Sequence, residues 1–158
     1  MMNSQTHHRR PLVSSLLVPA LLLAGCSGLS SEEEQNVIGM CEALDDAYVE
    51  QGDFYSALSE RSDLNREEAE VLFAESVELA TTISNYTFGL QAAAIASEGE
   101  NSDFAQAADE LVRLAWRLDD NIENRTTEED LFLRYGISMR MVLGDCKERG
   151  AEIETQVF

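Results

Sequence analysis

Residues 65–99, NREEAEVLFAESVELATTISNYTFGLQAAAIASEG, decide the fold of this chain. Ala69, Leu72, Ser76, Leu79, Ile83, Tyr86, Leu90 and Ala93 fall three and four apart without a break, the spacing that lines one face of an α-helix. Asn65 followed three residues later by Glu68 forms a capping box, in which each end of the motif satisfies an orphan backbone N–H. Gly99 is a stop signal. The stretch predicts one helix starting at Asn65 and running to Gly99, about 50 Å long if unbroken at roughly 1.5 Å per residue. Such a helix either bends near Gly89, or carries its first turns past its neighbours under Phe54, Tyr55 and Leu58. Phe73 and Val77 widen its apolar face beyond a two-stranded seam, so partners must cover it as a globular bundle.

Working outward, three more segments carry start and stop signals. The first begins at Ser31, with Glu34 three residues on, and ends before Gly52. The third begins at Asp103 with Gln106 and fades around Asn124. The last begins at Thr126 with Glu129 and stops at Gly150. Acidic residues crowd the first turns, as the helix dipole favours. Their apolar stripes are Val37, Cys41, Leu44 and Tyr48 in the first segment, and Phe104, Ala108, Leu111, Ala115, Leu118 and Ile122 in the third. In the last segment the stripe is Leu131, Tyr135, Val142 and Cys146, broadened by Phe132, Met139 and Leu143, with Leu114 and Met141 flanking the last two helices. Sustained two-residue alternation is missing, and the two prolines, Pro11 and Pro19, precede all four segments. The sequence therefore predicts an all-α chain, an up-down-up-down four-helix bundle, with a short extra helix in the first connection between Gly52 and Asn65.

Cysteine placement tests that topology. Cys41 lies near the start of the first helix and Cys146 near the end of the fourth, each on its apolar stripe. With Cys26 set aside for the reason given next, Cys41 and Cys146 remain as a pair for an oxidising compartment and predict one structural disulfide; in an up-down-up-down bundle it joins neighbouring ends and closes a loop of roughly a hundred residues. A catalytic thiol would need an activating base, normally histidine, and the two histidines, His7 and His8, lie at the extreme N-terminus.

The third cysteine has a different context. His7-His8-Arg9-Arg10 precedes an apolar run, Leu12 to Leu23, about a dozen residues long and too short to span a bilayer of roughly 30 Å. Leu23-Ala24-Gly25-Cys26 closes it and resembles the lipobox of bacterial lipoproteins. That resemblance covers residues 1–26. It implies that a type II signal peptidase cuts between Gly25 and Cys26 and that the Cys26 thiol is diacylated, giving a stable lipid anchor on the extracytoplasmic face of the cell membrane. Arg9-Arg10-Pro11-Leu12-Val13 also looks like a twin-arginine export signal, which leaves that route and the general secretory route both open. The expected organisation is a signal peptide over 1–25, an acylated cysteine and tether over 26–31, one bundle domain over 32–150 and a C-terminal tail over 151–158.

Charge narrows the partners. The chain carries 30 Asp and Glu against 11 Lys and Arg, a formal net charge of −19, and loss of Arg9 and Arg10 with the signal would deepen it. Such a surface repels nucleic-acid phosphates and anionic headgroups. It admits a basic protein partner, a cation atmosphere or a saline habitat. For a basic partner the clusters Glu67, Glu68 and Glu70, and Glu128, Glu129 and Asp130, are the candidate docking sites.

No chemical motif follows Cys26. Imidazole-bound haem or metal leaves with the signal, a di-iron bundle site lacks its Glu-x-x-His pairs, and EF-hand, phosphate-loop and Gly-x-Ser-x-Gly patterns are missing. No cofactor is expected. Tyr48, Tyr86 and Tyr135 sit on apolar stripes and read first as core. The polar run Thr81, Thr82, Ser84, Asn85 and Thr87 is either a solvent-facing strip or the wall of an internal site, with Asn85 and Tyr86 as its ligand-binding candidates. Trp116, flanked by Arg113 and Arg117, is either a core-edge ring covered by arginine stems or an exposed anchor. The expectation is a non-enzymatic binding or scaffolding lipoprotein. A small-ligand or cation carrier with a cavity between the helices is the alternative.

Overall fold

A computed structural model describes residues 32–126, 128 and 130–157. Cys26, the signal peptide, the tether, Ser31 and Glu129 lie outside the described residues. Four helices form the bundle: α1 Glu32–Ser59, α2 Arg66–Glu98, α3 Asp103–Glu123 and α4 Leu131–Glu148. No strand occurs among the described residues. Helix α2 packs on α1 and on α3, and α3 packs on α4, while α1 and α4 share far less surface.

The capping chemistry explains where the helices begin. At α2 the Asn65 side chain accepts from the Glu68 N–H and the Glu68 carboxylate accepts from the Asn65 N–H, so the expected box is present. At α3 the cap is Ser102, one residue before the expected Asp103. Its hydroxyl accepts from the Ala105 N–H and leaves Asp103 in the first turn, where the dipole favours it. Helix α4 starts at Leu131, later than the expected Thr126. The Thr126 hydroxyl is taken by the Asn121 side chain, and Arg125 adopts a positive φ of 53° that turns the chain out of α3. Asp130 caps α4 without a side-chain bond.

The short extra helix expected between Gly52 and Asn65 is not a separate element, because α1 runs through Gly52 to Ser59. A helical glycine costs roughly 1 kcal/mol, and here Phe54, Tyr55 and Leu58 stay half-buried and carry the apolar side onward. At roughly 1.5 Å per residue, α1 and α2 reach about 42 and 50 Å, against about 32 and 27 Å for α3 and α4. Full burial ends at Gln51 in α1 and begins only at Ser76 in α2. Beyond Gln51 the rest of α1 is half-covered or exposed, and so is the first part of α2. Arg125 braces that part of α2 by pairing with Glu70 at 2.7 Å and lying over the Phe73 ring.

The core is built from the predicted stripes. Leu44, Ile83, Leu90, Leu111, Leu131, Met139 and Leu143 are fully buried. Between Gln51, Ala80, Ile83, Ala115, Leu118 and Tyr135 the packing leaves no room for a water molecule. Gly89 lets α1 come close: a β-carbon there would meet the Met40 sulfur at 2.9 Å. Phe132 and Met141, expected on or beside the buried stripe, are instead exposed, because the core side of α4 is already filled by Leu131, Tyr135, Met139, Val142 and Cys146.

Cys41 and Cys146 form a disulfide, with Cα atoms 5.8 Å apart, across a separation of 105 residues. Gly150, at φ 96°, then turns the chain back. Residues 151–157 pack against the bundle: Ala151 is buried, and Ile153 and Val157 lie against the core. Asp45, itself buried, accepts from the Glu154 N–H at 2.6 Å and from the Thr155 N–H, and Glu42 accepts from the Glu152 N–H.

Candidate functional site

The disulfide pins α1 to α4 at one level, and the C-terminal segment lies over the same seam. Further along α1, past Asp45, that cover ends and a cleft of about 390 Å³ opens. Helix α1 lines it with Tyr48, Val49, Gln51, Gly52, Asp53 and Tyr55, α4 with Phe132, Tyr135 and Gly136, and the C-terminal segment with Thr155. Glycine on both facing helices leaves the space open. A β-carbon on Gly136 would lie 3.8 Å from the Tyr48 hydroxyl, an ordinary contact, so the site accepts a side chain that would fill it.

Its lining is aromatic and polar together. The Tyr48 and Tyr135 rings meet edge to face, with centroids 6.1 Å apart and planes inclined at 70°. The Tyr55 ring meets Phe54 in the same manner at 5.3 Å. Gln51 is buried at 5% exposure, whereas Asp53 is exposed. Among the lining residues Asp53 is the only one that carries a formal charge at neutral pH. Tyr135 is 4% exposed, and its hydroxyl has no hydrogen-bond partner among the described residues. Burial, with smaller contributions from Tyr48 and Tyr55, pushes its ionisation far above the ordinary tyrosine range. Burial also raises that of Tyr55. The Tyr55 and Tyr135 phenols are therefore uncharged at neutral pH. An unpaired buried hydroxyl is costly, and few persist without a ligand or water to meet them.

The expected site residues are not brought together. Asn85 is exposed, while Tyr86 is half-buried against the core. The polar run divides around the helix: Thr81 is exposed and donates to Asp119, while Ser84 and Thr87 are buried, with Thr87 donating to the Ser84 carbonyl. Trp116 is 56% exposed and stacks on Phe88 of α2 at 6.4 Å. The neighbouring arginines engage acids instead, Arg113 with Asp109 and Glu110, and Arg117 with Glu128.

Three of the six acids in the two clusters pair with the protein's own cations. Glu68 pairs with Arg61, Glu70 with Arg125 and Glu128 with Arg117. A second apolar feature lies on α4, where Leu133, Ile137 and Met141 form an exposed stripe beside a shallow groove against α3. Leu133 and Ile137 were legible as a second stripe at four-residue spacing, offset from the core stripe of the same helix. The cleft carried no comparable signal: Gln51 read as a helix end, Asp53 as connection, Tyr55 as apolar cover for α2 and Thr155 as tail.

Among the described residues no group of three His, Cys, Asp or Glu is placed to hold a metal. Among them, too, no helix is long and apolar enough to cross a membrane. No family model matches the chain, and no curated protein or solved structure matches it.

Proposed function

We propose that this chain is a lipid-anchored, extracytoplasmic, non-enzymatic binding protein that holds a small ligand in the cleft between α1 and α4. The cleft carries the reading: about 390 Å³, within the range of roughly 300–1,000 Å³ usual for small-molecule sites, with aromatic and a few polar residues in its lining. Its place between bundle helices is where helical proteins build such sites. The anchor rests on the resemblance of Leu23-Ala24-Gly25-Cys26 to a lipobox. With Glu32 opening α1 a few residues after Cys26, the disulfide end of the bundle faces the membrane and the α1–α2 hairpin projects away.

We read the topology as up-down-up-down, supported by contacts between helix ends. The disulfide ties the start of α1 to the end of α4, Arg149 after α4 pairs with Glu98 ending α2, and Arg125 after α3 pairs with Glu70 near the start of α2.

Two measurements test the function. Mass spectrometry of the membrane fraction should find the chain starting at an acylated Cys26, and Cys26→Ser should abolish acylation; a soluble, unacylated mature form would refute the anchor. Fragment binding followed by ligand-observed NMR should be lost in Gly136→Met, which fills the cleft, while the helical circular dichroism is kept. Fragments that bind both proteins equally would refute the cleft as the site. Docking of a basic protein is the second reading, supported by the net charge of −19.

A further inference from the structure

Within the proposed ligand-binding reading, on which this inference rests, the chemistry of the walls narrows the ligand class. Tyr48, Tyr55, Phe132 and Tyr135 bring four aromatic rings to one cleft. Aromatic faces are electron-rich, and their edges are not. Because Tyr48 and Tyr135 meet at 70°, their two planes enclose a corner and do not close into a parallel slot. A parallel slot suits a flat ring. A corner suits a rounded group that touches more than one face.

Charge points the same way. No Lys, Arg or His lines the cleft, one carboxylate does, and the chain as a whole carries a formal net charge of −19. An anion would meet a carboxylate and no cation there. A bare metal ion is also poorly matched, since hard cations require several oxygen ligands and Asp53 offers the only carboxylate. A rounded organic cation meets every condition: aromatic faces that attract it without hydrogen bonds, a carboxylate at the rim, and a field that concentrates cations. The half-buried Thr155, which also lines the cleft, is placed to serve a polar substituent on the same ligand.

We propose that the α1–α4 cleft binds an organic cation with a quaternary or fully methylated ammonium head, seated among Tyr48, Tyr55, Phe132 and Tyr135 and balanced by Asp53. Shape and charge are separable with a matched pair of probes, choline and its uncharged isostere 3,3-dimethylbutan-1-ol. Calorimetric titration of the full chain in a non-ionic detergent should show choline bound at least about tenfold more tightly than the alcohol. Asp53→Asn, at an exposed position, should weaken choline by about fivefold and leave the alcohol unchanged. Tyr55→Leu should weaken both, with melting curves confirming that the variant folds. Equal affinity for the two probes, lost in Gly136→Met, would overturn the cation and leave the cleft standing as an apolar site. No binding of either probe would overturn the cation, and if the fragment screen is also empty the cleft reading falls with it.

Discussion

Breaking the Cys41–Cys146 bond should be the most damaging single change available to this domain. The bond spans 105 residues, and in the chain-entropy model a loop of about a hundred residues stabilises by roughly 4.7 kcal/mol at 25 °C. Among the described residues the seam is otherwise joined only by the Tyr48–Tyr135 ring contact and by the bonds of Glu42 and Asp45 to the C-terminal segment, because α1 and α4 share little surface of their own. Both sulfurs are fully buried on apolar stripes, so two thiols left in their place create no new polar demand. For a domain of this size each 1 kcal/mol moves the melting temperature by about 3–6 °C, and residual structure in the unfolded chain reduces the ideal value. The expected fall on reduction is about 10–20 °C. Far-ultraviolet circular dichroism should keep its helical signal at low temperature, since the contacts of α2 with α1 and α3 survive. The measurement is a pair of thermal melts, with and without reductant, repeated on the Cys41→Ala, Cys146→Ala double variant. A fall below about 5 °C in both would refute the claim that the seam depends on its cross-link.

Four further outcomes follow from local chemistry. Gly89→Ala should be near neutral, because about 1 kcal/mol of helix propensity is offset by displacing the flexible Met40 thioether, whereas Gly89→Val should cost about 1–3 kcal/mol in denaturant titrations by forcing α1 and α2 apart. Asp45→Ala removes the acceptor for the Glu154 and Thr155 amides; it should cost about 1–3 kcal/mol, and hydrogen exchange at those two amides should rise selectively. Tyr135→Phe should be neutral or slightly stabilising at pH 7, since the hydroxyl has no partner. Because the folded-state ionisation is raised, the wild type holds its proton after the unfolded chain has lost it, so stability falls as pH climbs above about 10, and the variant should flatten that limb. Added salt should raise the melting temperature by screening like charges beyond about 8–10 Å, and a flat salt series would refute surface repulsion as a cost of the net charge of −19.

The parts of the fold set by short-range rules were legible in the chain. The Asn65–Glu68 box, the unbroken stripe from Ala69 to Ala93 and the stop at Gly99 yielded α2 with both ends correct. Cys41 and Cys146 read as a pair because Cys26 was assigned to lipid and an oxidising compartment joins the two that remain, and their places near helix ends agreed with it. Errors arose where tertiary packing overrode a local signal. Gly52 reads as a stop, yet α1 continues because half-buried Phe54, Tyr55 and Leu58 reward another two turns. Asp103 and Thr126 read as caps, yet Ser102 was the better-placed hydroxyl and Asn121 took Thr126. Phe132 read as core because apolar residues surround α4, and a helix apolar on two faces does not announce which of them is buried.

The cleft was illegible for a related reason. It is a property of what fails to pack, and hydrophobic periodicity registers only what does. Three separate facts create it: a cross-link that fixes α1 and α4 at one level, a C-terminal segment held by Asp45 at that same level, and glycines at 52 and 136 where the two helices face each other beyond it. Each has a bland local reading as staple, tail or weak helix residue. Only their coincidence along one seam leaves Tyr135 buried with an unsatisfied hydroxyl beside an open, aromatic-walled space. A bundle selected for stability alone would close that seam, since a side chain at position 136 meets nothing nearer than 3.8 Å and would gain helix propensity over glycine. That the seam stays open at this cost in packing is the observation that supports the proposed ligand there.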